Sequence, residues 1–307
     1  MNVLVFGSSG LVGSSIVRNF NSKNSKYNVI ESTRKDTNLF SISETKEIVN
    51  STKPKIVIIA AAKVGGIYAN NTQRYNFIIE NLKISMNIFE ALIDHPKTKI
   101  VNIGSSCIYP LGAKNPITEE SVLTGKLEPT NSPYAMAKLT SLEIANSMKR
   151  QFGHKILNLM PTNLYGPNDR FEELNSHVIP GLIFKMHRAK SKNSKSVEIW
   201  GSGSPIREFM HVDDLANAID FLLNINVDYD LLNVGSGQVT TIKNLAEVIK
   251  NIVGFKGKLI FNTNYPDGNP SKLLDSNKIN QLGWKSKISL EEGLIDTYNW
   301  YLNSKLI

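Results

Sequence analysis

The chain has 307 residues, 41% of them hydrophobic and 20% charged, which is too apolar for a disordered chain and long enough for a large α/β unit with a lobe attached. Lys and Arg number 35 against 27 Asp and Glu, a net charge of +8. The basic residues are scattered, and the densest run, Lys185 to Lys195, has no interleaved aromatic residues to stack on bases, so small phosphorylated ligands fit this charge better than nucleic acid. The single cysteine, Cys107, excludes an intrachain disulfide and a cysteine-based zinc cluster, and no other metal set is predicted.

Met1 to Phe6 lead straight into Gly7, with neither the cationic segment nor the apolar stretch of a secretory signal, so a cytoplasmic protein is expected. The longest apolar run, Ile56 to Ala62, is far short of the roughly 20 residues that span a membrane. Strands are predicted at Val3–Phe6, Asn28–Thr33, Ile56–Ala60, Lys99–Ile103 and Lys155–Met160, with helical patterns between them. Such alternation builds a doubly wound parallel sheet of the Rossmann type. Beyond a Pro/Gly/Asn-rich loop at Pro161 to Asn175 the pattern loosens. A helix after Ser176, a strand near Val197–Trp200 and a turn at Gly201–Pro205 come first. A helix from Asp213, a strand at Leu231–Val234 and helices near Thr241–Val253 and Leu290–Tyr301 follow. Residues 1–165 are therefore expected to form a dinucleotide-binding domain and 166–307 a smaller, mixed α/β substrate lobe, with some exchange of strands and helices between them.

The first strand runs into Gly7-Ser8-Ser9-Gly10-Leu11-Val12-Gly13 and then a helix, the place where a dinucleotide pyrophosphate rests on helix N–H groups. The G-x-x-G-x-x-G spacing is similar to that of short-chain dehydrogenases. At the end of the second strand an acid would bind a ribose 2′-hydroxyl and a base a 2′-phosphate. Arg34 and Lys35 stand just past that end, with Glu31 inside the strand, which favours NADP(H).

Tyr134 and Lys138, four apart on a helix starting near Pro133, share a face, and an ammonium there can stabilise a phenolate. Tyr301 and Lys305 repeat the spacing at the end of the last helix, where a surface role is expected. Ser105, just beyond the fourth strand, lies at the carboxyl edge of the sheet and can hydrogen-bond a substrate carbonyl. Cys107 is by itself either a small core residue or a reactive thiol, and His177 either a capping or core imidazole or an acid/base group. His211 reads as structural, and His95, His154 and His187 as surface.

Several longer segments carry a resemblance: Ala60-Ala61-Ala62-Lys63-Val64-Gly65-Gly66-Ile67, Gly104-Ser105-Ser106-Cys107-Ile108-Tyr109-Pro110, and Glu128-Pro129-Thr130-Asn131 before Tyr134. Further along come Met160-Pro161-Thr162-Asn163-Leu164-Tyr165-Gly166-Pro167, Ser176-His177-Val178-Ile179-Pro180, Trp200-Gly201-Ser202-Gly203 and Arg207-Glu208-Phe209-Met210-His211. Pro266-Asp267-Gly268 and Lys272-Leu273-Leu274-Asp275 close the set. Nearly end to end, the chain resembles the GDP-L-fucose synthases, extended short-chain reductases that epimerise and reduce GDP-4-keto-6-deoxy-D-mannose.

The resemblance implies that Ser105, Tyr134 and Lys138 reduce the C-4 ketone with NADPH, and that Cys107 and His177 invert C-3 and C-5. Ordinary thiol and imidazole pKa values of about 8.5 and 6.5 suit that proton traffic near neutrality. It also implies cofactor contacts at Lys138, Pro161, Asn163, Leu164 and His177. Substrate contacts are implied at Lys185, Trp200, Arg207 and Lys272, and a homodimer through the helices near Asn76–Ile93 and Pro133–Arg150. Two departures stand out. Ser8-Ser9 replaces the family's His-Arg, and Ile183-Phe184-Lys185 carries one basic residue where the family has two. The alternatives are a C-4 reductase of another GDP-4-keto-6-deoxy sugar, such as a heptose, and a catalytically silent NADP-binding sensor. The 4,6-dehydratases of the same superfamily resemble a Thr-Asp-Glu arrangement where this chain has Ser105-Ser106-Cys107.

Overall fold

The computed structural model describes residues 1–22, 26–265 and 267–304, so Lys305 and Pro266 of the motifs above lie outside the described residues. The first half runs β1 (Asn2–Phe6), α1 (Leu11–Ser22), β2 (Asn28–Ser32), α2 (Ile42–Thr52), β3 (Ile56–Ile59), α3 (Ile67–Thr72), α4 (Arg74–Leu92), β4 (Lys99–Ile103) and α5 (Ser132–Phe152). Then come β5 (Ile156–Pro161), β6 (Asn163–Tyr165), α6 (Val178–Ser191), β7 (Ser196–Trp200), β8 (Ile206–His211) and α7 (Val212–Leu223). The chain closes with β9 (Leu231–Val234), β10 (Val239–Thr241), α8 (Ile242–Val253), β11 (Lys258–Asn262), β12 (Ser271–Lys272), α9 (Asn277–Gln281) and α10 (Leu290–Asn303).

The main sheet has the order β2-β1-β3-β4-β5-β9, and every neighbouring pair is parallel. Its central strands read as unbroken apolar runs because both faces are covered. Val3, Val5, Ile58, Val101 and Leu159 pack toward α1 and α7, where Ile16, Phe20, Leu215 and Ile219 meet them. Leu4, Phe6, Val57, Ile59 and Ile100 face the other way, onto Ile88, Phe89 and Leu92 of α4 and Met148 of α5. Strand order reverses between β1 and β3, so the carboxyl ends of β1, β3, β4 and β5 line the crevice where open α/β sheets bind ligands.

Local signals set the helix ends. The Ser41 side chain accepts from the Glu44 N–H to start α2. Pro133 lies in the first turn of α5, and Gly153 closes that helix at φ 72°. Ser289 and Glu292 form a capping box on α10.

A second core joins α6, α8, α10 and β7 through Ile183, Met186, Leu245, Ile249 and Tyr298. Beside it, β8 is flanked by β10 and β12, with β6 also pairing to it. This small sheet was not predicted. The predicted strand near Leu231 adds to the main sheet as β9, and the predicted helix from Asp213 packs on α1 as α7. Among the described residues no helix is long and apolar enough to cross a membrane.

One histidine departs from its surface reading. His154 is 1% exposed, its Nε2 lies 3.1 Å from the Ile93 carbonyl, and burial lowers its pKa. The aliphatic periodicity of the neighbouring strand gives no sign that the residue preceding it is covered. His187 is also part-buried, its Nδ1 3.0 Å from the Tyr298 hydroxyl.

Candidate active site

β1 ends in a turn that needs its glycines. Gly7 has φ +81°, and a Cβ there would stand 2.7 Å from the Ala61 backbone; at Gly13 it would stand 2.1 Å from the Gly7 carbonyl oxygen. The Gly7 and Ser8 N–H groups donate to the Ser32 carbonyl at 2.9 and 3.2 Å, pinning the turn to β2. The first N–H groups of α1, from Leu11, Val12 and Gly13, have no carbonyl one turn back within the helix to receive them. Ser8 Oγ is buried without a partner, while Ser9 and Gly10 are exposed. This glycine cradle with an orphaned hydroxyl fits a dinucleotide pyrophosphate. Arg34 and Lys35 are exposed just past β2, and the nearby Asp36 carboxylate is occupied by the Thr33 N–H and hydroxyl at 2.9 and 2.6 Å. These two exposed cations suit a 2′-phosphate, although the exposed Glu31 carboxylate stands in β2 just before them.

β4 delivers the next group. Ser105 caps the one-turn helix Ser106–Ile108, its hydroxyl accepting the Cys107 N–H at 3.2 Å, so hydroxyl and thiol stand on the same tight turn. That turn meets α5, where Tyr134 is half-buried and hydrogen-bonded by Ser105. Burial raises the Tyr134 phenol well above its ordinary range, helped by the charge of a Cys107 thiolate and opposed by the Ser105 hydrogen bond. One turn on, buried Lys138 donates to the Ile103 carbonyl at 2.7 Å and lies 6.0 Å from the Tyr134 ring centre. Burial lowers its ammonium pKa to about 8.

Cys107 Sγ has two further neighbours, Asn131 Nδ2 at 3.6 Å and Lys272 Nζ at 3.9 Å. Lys272 reaches it from β12, whose backbone is held by β8 on one side and by a bridge between Leu274 and Ile117.

His177 occupies the N-cap position of α6 but makes no side-chain cap bond, and its side chain is 42% exposed; it is neither a cap nor a core residue. The loop before it is closed by Ser176, whose Oγ donates to the Arg170 carbonyl and accepts the Glu172 N–H, both at 2.6 Å. This closure brings Asp169 to His177, with 3.9 Å between Oδ1 and Nδ1. The loop also lies against Gly66, whose N–H donates to the Asn175 carbonyl at 3.0 Å.

The remaining expected contacts fall in two groups. Arg207 on β8 pairs in register with Lys272, and its half-buried guanidinium donates to the Asp267 carbonyl at 3.4 Å. Lys185 and Trp200 stand apart, lining a cavity of about 560 Å³ with Tyr265, Glu173 and Glu198. There Tyr265 stacks on Trp200 at 4.4 Å, and Lys185 Nζ sits 4.7 Å from the Trp200 ring centre. Pro161, Asn163 and Leu164 follow the end of β5; Asn163 Nδ2 donates to the Glu208 carbonyl at 2.8 Å, and Leu164 packs on the main core. Asp169 and Tyr265 were missed from sequence. Both sit in loops without periodicity, and the only signal for Asp169 is a carboxylate eight residues ahead of His177.

The sheet, the glycine cradle at its switch point and the tyrosine–lysine pair one turn apart define a Rossmann-type dinucleotide-binding protein. Residues 3–235 match the NAD dependent epimerase/dehydratase family, and the chain belongs to that family. It is 48% identical over 302 residues to a putative GDP-L-fucose synthase 2 of Arabidopsis thaliana, covering 98% of this chain and 92% of that one. It is 43% identical over 312 residues to the GDP-L-fucose synthase of Escherichia coli K12, covering 99% and 97%. A GDP-mannoheptose C4 reductase from Campylobacter jejuni, solved with NADP bound, superposes with a TM-score of 0.86 at 34% identity, covering 98% of each chain.

Proposed function

We propose that this chain is an NADP-dependent enzyme that epimerises C-3 and C-5 of GDP-4-keto-6-deoxy-D-mannose and reduces its C-4 ketone, giving GDP-L-fucose. The observation that carries the reading is the meeting of the reductase set with the Cys107 thiol at one turn. Ser105 contacts Tyr134 and the Cys107 N–H together, and a Cys107 thiolate acts electrostatically on Tyr134 and on Lys138. Curated relatives at 43% and 48% identity named GDP-L-fucose synthase support the same substrate.

In this reading the 4-keto group acidifies the hydrogens on C-3 and C-5. The Cys107 thiolate, with Asn131 and Lys272 as donors to sulfur, takes the proton; the C–H electron pair moves into an enolate whose oxygen accepts from Ser105 and Tyr134. His177 returns a proton to the opposite face and regains one from solvent, to which the thiol gives up its own. NADPH when bound supplies the hydride for C-4. Arg34 and the Gly7–Gly13 turn hold that cofactor, with Pro161, Asn163, Leu164 and His177 beside it. Tyr134, kept protonated by burial, gives its proton to the C-4 oxygen, and Lys138 stabilises the phenolate left behind. Arg207 and Lys272 face the pyrophosphate, and Lys185 and Trp200 the far end of the nucleotide.

The enzyme is proposed to be cytoplasmic and to work as a homodimer through α4 and α5. What supports the dimer is the apolar surface those helices leave uncovered, with Tyr75 73% exposed and Met86 and Met136 about half exposed. The division into a cofactor domain over residues 1–165 and a substrate lobe over 166–307 is likewise proposed, supported by the separate core around α6, α8 and α10.

The test is turnover of GDP-4-keto-6-deoxymannose with NADPH in deuterium oxide, read by NMR. A product of GDP-L-fucose configuration, deuterated at C-3 and C-5, supports the reading. A reduced sugar with neither centre exchanged removes the epimerase activity and turns attention to a keto-heptose. No turnover with either sugar favours a silent NADP-binding protein.

A further inference from the structure

Asp169 is 8% exposed, yet the carboxylate has few partners of its own. Oδ1 accepts the Arg170 N–H at 2.8 Å, and Oδ2 is buried with no partner. A buried carboxylate oxygen left without a donor costs free energy that the fold tolerates when something else uses the charge. The group placed against this carboxylate is the His177 imidazole, its Nδ1 3.9 Å from Oδ1.

Much of the surrounding loop serves this placement. Asn168 adopts φ +66°, the Asp169 N–H donates to the Gly166 carbonyl at 3.3 Å, and Ser176 ties Arg170 and Glu172 together, folding the eight-residue span back on itself. On the same loop Arg170 and Glu172 pair with each other at 2.7 Å, and Glu173 pairs with Arg188 of α6 at 3.2 Å. From α6 the imidazole meets the positive end of the helix, which by itself disfavours an imidazolium. Partial burial works in the same direction, and the negative charge of Asp169 reverses the balance, so that the His177 pKa is raised.

We propose that Asp169 is a positioning residue for the epimerisation: its carboxylate engages Nδ1 of His177, orients the ring and holds it as the imidazolium, leaving Nε2–H as the donor that protonates the sugar carbon. The inference rests on the epimerase reading of His177.

The test is a histidine-ring NMR titration of the whole chain, with the His177 signal identified by its loss in His177→Asn. In the wild-type protein the His177 midpoint is expected above the ordinary value of about 6.5. In Asp169→Asn it should fall by about one pH unit, and deuterium exchange at C-3 and C-5 near pH 7 should slow about tenfold. Asp169→Glu, which keeps the carboxylate, should restore much of both. A wild-type midpoint at or below 6.5, or an unchanged midpoint in Asp169→Asn, overturns the proposal. Should Asp169→Asn fail to fold, the wild-type midpoint alone decides. If His177→Asn keeps full exchange, the epimerase reading itself fails, an outcome distinct from any result of the titration.

Discussion

Gly66 carries no reactive group, yet replacing it with alanine should damage epimerisation more than it damages the fold. A Cβ at this position would stand 2.2 Å from the Ser176 carbonyl oxygen, where ordinary contact begins at 3.4 Å, so the turn after β3 and the loop bearing His177 must separate by about 1.2 Å. Overpacking of this kind costs about 1 to 3 kcal/mol, and opening the gap also strains the Gly66–Asn175 hydrogen bond. Because Ser176 precedes His177 directly, the imidazole moves with the loop. A misplacement near 1 Å costs roughly a hundredfold in rate. The assay is deuterium incorporation at C-3 and C-5 without NADPH, which isolates the exchange step. Gly181→Ala is the control: it lies inside α6, its Cβ would meet Ser176 Cβ at an ordinary 3.6 Å, and alanine should add up to about 1 kcal/mol of helix stability. Exchange by Gly66→Ala within twofold of wild type would refute the view that this glycine sets the position of His177.

Other expectations follow from the same geometry. Tyr134→Phe should lower C-4 reduction by roughly 10² to 10⁴ and exchange at C-3 and C-5 by much less, since Ser105 remains as a donor to the enolate oxygen; unchanged turnover would remove Tyr134 as the proton donor. Arg34→Ala should weaken NADPH binding about tenfold and leave NADH nearly unaffected, measured by calorimetric titration of each cofactor. Burial holds Lys138 near pKa 8, below its ordinary 10.5, so between these values the unfolded chain binds more protons and stability rises with pH. Across that window the wild-type protein should gain up to roughly 3 kcal/mol relative to Lys138→Met in urea unfolding. A flat difference between pH 7.5 and 10.5 would show that the ammonium is not desolvated.

The central strands were legible because burial on both faces leaves a continuous apolar signature, as in Ile56 to Ile59. The glycine turn was legible because three backbone positions admit nothing larger than hydrogen on steric grounds or stay open to a ligand. The small sheet was not. β10 and β12 have three and two residues, and β8 holds Glu208 at its centre, fully buried, accepting the Gly237 and Leu274 N–H groups at 2.8 and 3.1 Å. A carboxylate neutralised by backbone donors looks in sequence like a solvent-facing residue. Asp169 escaped for a related reason: its meeting with His177 depends on a loop folded by Ser176, and no spacing rule encodes that. His177 itself was visible only through a motif, and Lys272, quoted for a phosphate contact, stands within reach of the Cys107 sulfur.

The return of β9 and α7 to the main sheet has a consequence for how the protein is made. β5, buried along all six residues, receives its outer partner only when Leu231 to Val234 have been synthesised, and Ile16 and Phe20 of α1 remain uncovered until Leu215 and Ile219 arrive. During translation the nascent first half thus presents a bare strand edge and an apolar helix face while the ribosome adds about seventy more residues, an interval in which association with another chain competes with completion of the sheet. A gene fragment stopped after residue 165 would make that interval permanent, and should yield inclusion bodies instead of a free-standing cofactor module.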